Sequence, residues 1–329
     1  MQQLKEAAAK ITSLEIQGAT NIAIYAIKEF ISFTKRHSNL DNFSLWQKLL
    51  MAERIFSNAR STEPAMRNGL IFILGKIQHD QKQGIEVSLA KMVEIYGNEY
   101  ISILKASKAQ IAKFGARLIP ESTKDPIVVQ THCHSSIVEA ILIEAKKLGR
   151  NFKVISTETR PFYQGRITAQ NLISHGIQVT QVVDSAMRWA ARNLGSEIII
   201  IGADAVTSEG TVLNKIGSRL LALVAHEEHI PFYVATPLLK YNPGTAFGNY
   251  EKIEMRDNHE IFKDWPQKPK KLEVLNPAFE TVNRLYISGV ITEAGIFPSG
   301  QVHNNFQNVY PFLHHAYQLI EHDNLEFKV

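Results

Sequence analysis

The feature that most constrains the fold is a change in hydrophobic periodicity near residue 118. Residues 1 to about 117 place apolar side chains three and four positions apart, as in "TNIAIYAIKEFISFTKR", and contain almost no strand-like segment. This spacing is typical of helices that bury one face. The segment "IPESTKD" then interrupts the pattern. We therefore predict a helical N-terminal domain over residues 1–118.

Beyond this break, short apolar segments alternate with helical ones. The strand-like segments are "PIVVQTH", "FKVISTE", "QVTQVV", "EIIIIGA" and "PFYVAT", and "YISGVIT" adds a later strand. Such alternation predicts a parallel sheet covered by helices on both faces. We expect a Rossmann-like α/β domain over residues 119–329, with its ligand site at the carboxyl ends of the strands.

The composition argues against several functional classes. With 45% apolar and 21% charged residues, the chain is typical of a soluble globular protein. It contains no apolar run near the roughly 20 residues of a membrane span, and its N-terminus lacks the apolar core of a signal peptide. A net charge of +4, spread among acidic residues, does not require nucleic acid. We expect a cytoplasmic protein with neither a membrane nor a nucleic-acid partner.

Three loops should converge at the carboxyl edge of the predicted sheet. They are "THCHSS" after the first strand, "TETRPFYQG" after the second, and "GADAVTSEGTVLNKIG" after the "EIIII" strand. Together they supply a thiol, carboxylates, guanidinium and ammonium groups and several small hydroxyls. This chemistry suits a polar, phosphorylated substrate better than a lipid.

The first loop holds Cys133, the only cysteine in the chain. A single cysteine fits a reducing compartment, and its thiol could be a small buried hydrophobe or a reactive group. It precedes Ser135 and Ser136, which are predicted to cap a helix, and the free N–H groups of that helix start could also bind a phosphate. The positive end of that helix should lower the thiol pKa and favour the thiolate. Because neighbours on an extended strand point to opposite faces, His132 and His134 should not share a metal, and no metal site is expected.

The third loop offers Asp204, Asn214 and Lys215. Asp204 follows the most apolar strand and could be a turn or capping residue. It could also be a general acid, since lost solvation raises a carboxyl pKa. "NKIG" is expected at a helix start, where Asn214 could be the cap. Lys215 could be a solvated lysine or a phosphate clamp, and spacing alone leaves both open.

These motifs, in this order, resemble the family of ribose-1,5-bisphosphate isomerase. The matching segments are "THCHSS", "TETRP", "VVDSA", "GAD", "NKIG" and "LEVLNPAFE", and with their neighbours they cover residues 125 to 300. The wider family includes methylthioribose-1-phosphate isomerase and the alpha, beta and delta subunits of eukaryotic initiation factor 2B. The tail resembles the isomerase branch most closely.

The resemblance implies a catalytic pair, Cys133 and Asp204, which the initiation-factor subunits generally lack. It also assigns Gln164, Asn214 and Lys215 to substrate contacts and Lys240 to a substrate phosphate. The family phosphate loop reads "RGAG" or "RGAP", whereas this chain has "QGAT" at residues 17–20 and "RST" where relatives have "RPT". The further expected substrate-binding residues are Gln17, Gly18, Ala19, Thr20, Arg60, Ser135, Ser136 and Arg160.

The implied reaction converts ribose 1,5-bisphosphate to ribulose 1,5-bisphosphate without a cofactor. We assign Cys133, as thiolate, to the proton on carbon 2 and Asp204, as acid, to the ring oxygen, although the two roles could be exchanged. The alternatives are a non-enzymatic regulatory subunit and a methylthioribose-1-phosphate isomerase. The resemblance also implies a homo-oligomer, either a dimer or a hexamer, that binds a phosphorylated sugar.

Overall fold

The computed structural model describes residues 1–321 except Gln17, Ser61, Tyr250, Lys252, Asp264 and Pro266, and only the backbone of 318–321. The chain forms two compact units. A helical unit contains residues 1–106 and the described residues of 238–250 and 303–321. An α/β unit contains residues 107–237 and the described residues of 251–302. None of the described helices combines the length and apolar character needed to cross a membrane.

The first part of the chain is helical, as its periodicity predicts. The helices are α1 (Gln2–Thr12), α2 (Ala19–Arg36), α3 (Asn42–Ala59), α4 (Pro64–Lys82) and α5 (Leu89–Ala116). Pro64 begins α4, a position where its missing N–H has no effect on helix hydrogen bonding. Phe30, Trp46 and Phe56 are fully buried in this unit. The period-3.6 pattern thus marks the faces that form its core.

The compact units do not coincide with the predicted domains 1–118 and 119–329. The division falls at residue 106, inside the continuous helix α5, because Ile111 and Ala116 at its end pack into the core of the α/β unit. Two later segments belong to the helical unit, including most of α11 (Val302–Val309) and all described residues of α12 (Pro311–Glu321). Local periodicity does not show which distant segment a helix will pack against.

The α/β unit is built on a mainly parallel sheet, as predicted. Its strands are β1 (Ile127–Thr131), β2 (Phe152–Thr157), β3 (Val179–Val182), β4 (Ile198–Gly202), β7 (Phe232–Ala235), β9 (Gly289–Thr292) and β10 (Gly295–Phe297). Among the described residues the order is β10-β9-β7-β4-β1-β2-β3, and only β10 runs antiparallel to its neighbour. The strand order therefore reverses at β1, which lies between β2 and β4. Ligand sites of such sheets form at this point.

The helices of this unit follow the predicted pattern of strand and helix. They are α6 (Ser136–Lys147), α7 (Gln164–Ser174), α8 (Met187–Asn193), α9 (Ser218–Glu227) and a short α10 (His259–Phe262). Gly149, Gly176 and Gly195 follow the ends of α6, α7 and α8 with φ between 72° and 76°. This left-handed conformation at a helix end favours glycine, so these glycines mark where the three helices end.

A second sheet, which we did not predict, lies after β4. It consists of β5 (Ala205–Val206), β6 (Val212–Lys215) and β8 (Phe279–Val282), paired antiparallel in the order β5-β6-β8. The expectation that "NKIG" lies at a helix start was therefore wrong for Asn214 and Lys215. These residues lie on β6 and pair with Glu280 and Phe279, and α9 begins only at Ser218.

Candidate active site

Cys133 and Asp204 follow neighbouring parallel strands. Cys133 lies two residues after the end of β1, and Asp204 lies two residues after the end of β4. The register pairs Val129 with Ile198 and Gln130 with Ile199, so both strands end at the same edge of the sheet. Cys133 is buried and Asp204 is half-buried. The fold thus delivers a thiol and a carboxyl group to the point where the strand order reverses.

The backbone of Cys133 is held in a conformation that a non-glycine residue rarely adopts. Its φ is 67°, in the left-handed region, which is unfavourable by about 1 kcal/mol for a residue with a Cβ. Two threonine hydroxyls hold it there. The Cys133 N–H donates to Thr159 Oγ1 at 3.0 Å, and Thr168 Oγ1 donates to the Cys133 carbonyl at 3.1 Å. Non-glycine residues in this region often lie at functional sites.

His132, which the sequence did not identify as a site residue, extends this network. Its Nε2 lies 2.8 Å from the Ile216 carbonyl, which can only accept, so Nε2 carries the proton. Nδ1 therefore accepts from Thr157 Oγ1 at 2.6 Å, and Thr157 lies 3.4 Å from Thr159 Oγ1. Burial lowers the pKa of His132, which keeps the ring neutral as this arrangement requires. The chain of bonds runs from the loop before α9 to the backbone of Cys133.

The electrostatics of the thiol contradict our expectation of a thiolate. Burial raises the pKa of the Cys133 thiol to about 11, and the charges of Asp204 and Asp184 act in the same direction. The charge of Lys215 and the N–H of His134 lower this pKa but do not offset the burial. The helix start is present as predicted, but desolvation outweighs it. The thiol is therefore protonated at neutral pH.

Gln164 and Lys215 complete the immediate surroundings of the thiol. The Cys133 Sγ–H donates to Gln164 Oε1 at 3.5 Å, which is consistent with a protonated sulfur. Lys215 is 6% exposed, and its Nζ lies 5.0 Å from the centre of the Phe279 ring. The structure places Lys215 in the interior, not on the surface. A buried ammonium group beside a thiol and a carboxyl group is a suitable partner for a phosphate.

The remaining polar residues of these loops have defined structural partners. Ser135 caps α6, since its Oγ accepts from the Val138 N–H at 3.4 Å, and Ser136 is the first residue of that helix. The first turn of α6 lies two residues beyond Cys133 and can receive an anion. Asn214 is buried and its Nδ2 donates to Ser218 Oγ at 2.8 Å. Asn214 therefore links β6 to the start of α9 instead of capping a helix at its own position.

Arg160 is exposed and is directed toward an aromatic ring. Its Nη1 donates to the Tyr163 hydroxyl at 2.5 Å, and its guanidinium carbon lies 5.2 Å from the centre of that ring. The neighbouring backbone is fixed by Asp184, whose carboxylate accepts from the Thr159 N–H at 2.8 Å and the Arg160 N–H at 2.7 Å. Asp184 was not among the predicted site residues. Its position just after β3, within "VVDSA", is the signal that could have identified it.

Two glycines in the motifs permit close approaches around this site. A Cβ on Gly165, in the first turn of α7, would lie 1.7 Å from the Thr157 carbonyl oxygen. A Cβ on Gly217, where φ is +102°, would lie 2.7 Å from His132 Nε2. Any larger residue at either position would displace the network that holds Cys133. This explains the glycines of "QG" and "NKIG" in physical terms.

The other predicted binding residues lie in the helical unit, and Gln17 lies outside the described residues. Gly18, with φ +85°, is the N-cap of α2; Ala19 is buried and Thr20 is half-buried in the first turn. Among the described residues, no side-chain hydrogen bond caps this helix start. Such a start offers backbone N–H groups to an anion.

Arg60 and Lys240 are both largely buried in the helical unit. Arg60 Nη1 lies 3.2 Å from the carboxylate of Glu63, with side chains 10% and 1% exposed. The charge of Arg60 is therefore balanced within the unit, which the sequence did not reveal. Lys240 ends a short 3-10 helix, Leu238–Lys240, and is 7% exposed.

Comparison with known proteins gives a consistent assignment. Residues 15–299 match the initiation factor 2 subunit family. The chain is 36% identical to ribose 1,5-bisphosphate isomerase of Thermococcus kodakarensis over 305 residues, 91% of this chain and 92% of that protein. It is 30% identical to methylthioribose-1-phosphate isomerase of Thermosipho melanesiensis over 306 residues, 89% of this chain and 86% of that protein.

A solved structure supports the same conclusion. The Pyrococcus horikoshii translation initiation factor eIF-2B superposes with a TM-score of 0.76 and 28% sequence identity, covering 91% of this chain and 98% of that one. The resemblance inferred from the motifs is therefore confirmed over nearly the whole chain. This protein belongs to the initiation factor 2 subunit family.

Proposed function

We propose that this protein is an aldose–ketose isomerase that converts ribose 1,5-bisphosphate to ribulose 1,5-bisphosphate. The observation that carries the proposal is the placement of Cys133 and Asp204 after neighbouring strands, where the charge of Asp204 acts on the thiol. The names of the relatives support an isomerase of sugar phosphates. The buried Lys215 and the start of α6 supply groups that can hold a phosphate.

The chemistry requires two proton transfers in each half of the reaction. A phosphate on the anomeric oxygen prevents free ring opening, so an acid must protonate the ring oxygen as its bond to carbon 1 breaks. A base removes the proton from carbon 2, which gives an enol phosphate. The same proton then moves to carbon 1, and the hydroxyl on carbon 2 loses its proton to form the ketone. Atoms balance, since substrate and product are isomers.

The protonated thiol favours an exchange of the roles that we first assigned. Cys133 would donate its proton to the ring oxygen and later recover one from the hydroxyl on carbon 2. Asp204, as carboxylate, would carry the proton from carbon 2 to carbon 1. Each group then returns to its starting state without an outside proton source. Gln164, which contacts the thiol, would orient it.

The pH dependence of kcat/KM tests whether the thiol takes part in the proton transfers. In either assignment the active form carries one proton on the thiol and carboxyl pair, so both assignments give the same profile. The rate should stay level through neutral pH and fall as the thiol ionises near pH 11. A profile without that fall would remove the thiol from the proton transfers.

A panel of substrates tests the function itself. Purified protein is assayed with ribose 1,5-bisphosphate, methylthioribose 1-phosphate and ribose 1-phosphate. The variant Asp204→Asn serves as the catalytically impaired control. We expect the wild-type protein to isomerise the bisphosphate best. The Asp204→Asn variant should turn it over about 10²-fold more slowly or worse. Preference for the thiosugar would assign the other isomerase activity. Turnover of no sugar phosphate would favour a regulatory subunit.

A further inference from the structure

Asn68, on α4 of the helical unit, is fully buried and forms three hydrogen bonds with distant residues. Its Nδ2 donates to the carbonyl of Leu239 at 2.7 Å and to the carbonyl of Tyr241 at 3.0 Å. Its Oδ1 accepts from the hydroxyl of Tyr317 at 2.6 Å. Because carbonyl oxygens only accept, the amide orientation is fixed by its partners. Both protons of the amide are used.

These bonds hold the two residues on either side of Lys240. Leu239 and Tyr241 are each 1% exposed, so their carbonyls have no water to replace Asn68. The short 3-10 helix that ends at Lys240 has little rigidity of its own. The direction of the lysine stem therefore depends on the two carbonyls that Asn68 fixes.

We infer that Asn68 is a positioning residue that fixes Lys240 for a substrate phosphate. The inference rests on the proposed function and on the family resemblance, which assigns Lys240 to a substrate phosphate. A lysine binds an anion as a point charge, and a displacement of about 1 Å weakens the contact while leaving distant chemistry intact. Asn68 would therefore influence substrate binding more than the chemical step.

The bond from Tyr317 gives the C-terminal helix α12 a part in this arrangement. Tyr317 is 8% exposed, and α12 also packs on α4, where the Phe312 and Phe72 rings lie 6.1 Å apart edge to face. With its oxygen held by Tyr317, the Asn68 amide is not free to turn away from the carbonyls. Removing the hydroxyl of Tyr317 should therefore also displace Lys240, but by less than removing the Asn68 amide does.

A double-mutant cycle on KM tests the inference in the full-length protein. Asn68→Leu, nearly the same volume, should raise KM for ribose 1,5-bisphosphate about tenfold and change kcat less than about threefold. Lys240→Met should raise KM by about 10²-fold. The double variant should be no worse than Lys240→Met alone, because Asn68 acts only through the lysine. Additive effects on KM, or an unchanged KM for Asn68→Leu, would overturn the inference.

A matched control separates positioning from loss of stability. Thr34→Val removes another fully buried hydrogen bond of the helical unit, from Thr34 Oγ1 to the Phe30 carbonyl at 2.7 Å. It should lower the melting temperature without changing KM. If Asn68→Leu does not fold, Tyr317→Phe replaces it, with an expected two- to threefold rise in KM and the same non-additivity.

A failure of the proposed function can be distinguished from a failure of the inference about Asn68. If the wild-type protein turns over no sugar phosphate, the same cycle is measured by calorimetry with inorganic phosphate as the probe. Weaker binding in both single variants, without further weakening in the double variant, would support Asn68 as the positioning residue. No binding to the wild-type protein, or additive losses, would overturn it.

Discussion

The α/β unit and the helical unit hold their candidate site residues by different means. In the α/β unit, Cys133 and Asp204 follow neighbouring strands, and hydroxyl groups fix the cysteine backbone. In the helical unit, Arg60 is balanced by a buried carboxylate, and the segment of Lys240 is held from a helix far away in sequence. A parallel sheet gathers residues at one edge by its geometry, whereas helices need a specific partner for each side chain.

The largest effect should come from removing the charge of Arg60. Arg60→Met leaves the Glu63 carboxylate, 1% exposed, without this ion pair and should lower the free energy of unfolding by about 3 kcal/mol. Urea unfolding measures it. Lys10→Met is the control, because the Lys10–Glu15 pair is 49% and 61% exposed and should contribute less than about 0.5 kcal/mol. Equal effects of the two variants would show that the buried pair has no special role.

Removing the thiol should affect the rate instead of the fold. Cys133→Ser keeps the shape of the side chain but transfers protons poorly, so kcat should fall by about 10²-fold or more. The melting temperature should change by only a few degrees. Steady-state kinetics and circular dichroism of the same preparation test both statements. Activity within a few-fold of wild type would make Cys133 a buried structural residue.

A smaller effect on kcat is expected when a hydrogen bond is removed from the network that holds the Cys133 backbone. His132→Gln can still donate to the Ile216 carbonyl but cannot accept from Thr157 in the same way, so Cys133 is held less firmly. We expect kcat to fall about tenfold with KM nearly unchanged. Ser196→Ala is the control, since it removes a buried hydrogen bond of 2.8 Å to Gln130 on β1, the strand that precedes His132. A similar loss of kcat in the control would mean that His132 acts only through stability.

The same histidine gives a pH dependence of stability with a defined sign. Because burial lowers the folded-state pKa of His132, its contribution is present above the unfolded-state value, about 6.5. It is lost as pH falls from there through the folded-state pKa, since the unfolded chain binds the proton first. Urea unfolding between pH 8 and pH 5 should show this loss, and His132→Gln should reduce it. An unchanged slope in the variant would assign the loss to other groups.

The smallest change concerns the ionisation of the only cysteine in the chain. Its raised pKa means that the protonated thiol stabilises the fold below the ordinary thiol pKa and that this contribution is lost as pH rises through about 11. Thiolate absorbance near 240 nm, with Cys133→Ser subtracted, should therefore remain low at pH 9. A midpoint near or below the ordinary value would show that the helix start and Lys215 outweigh burial.

The sequence predicted those features that depend on local patterns. Period-3.6 segments marked the helices of the first unit, and β-branched runs such as Ile198–Ile201 marked buried parallel strands. Gly149, Gly176 and Gly195 mark helix ends in the sequence, because a left-handed residue at a helix end has a strong preference for glycine. Since strand ends carry the site, Cys133 and Asp204 could be selected without coordinates.

Contacts between distant segments were not predictable in the same way. Strand β6 pairs with β8, and Asn68 binds Leu239 and Tyr241. The residues around each position show no pattern that would identify its distant partner. Asn214 was therefore assigned to a helix start, and the division between the units was placed at residue 118 instead of within α5.

The sequence by itself determined the order of helices and strands and the residue types at the strand ends, because both depend on neighbouring positions. The tertiary structure determined the protonation of those residues and the pairing of their charges. Burial from several elements sets the pKa of the Cys133 thiol, and Glu63 balances the charge of Arg60. Desolvation and pairing are sums over the surroundings of a side chain, and those surroundings exist only after the chain has folded.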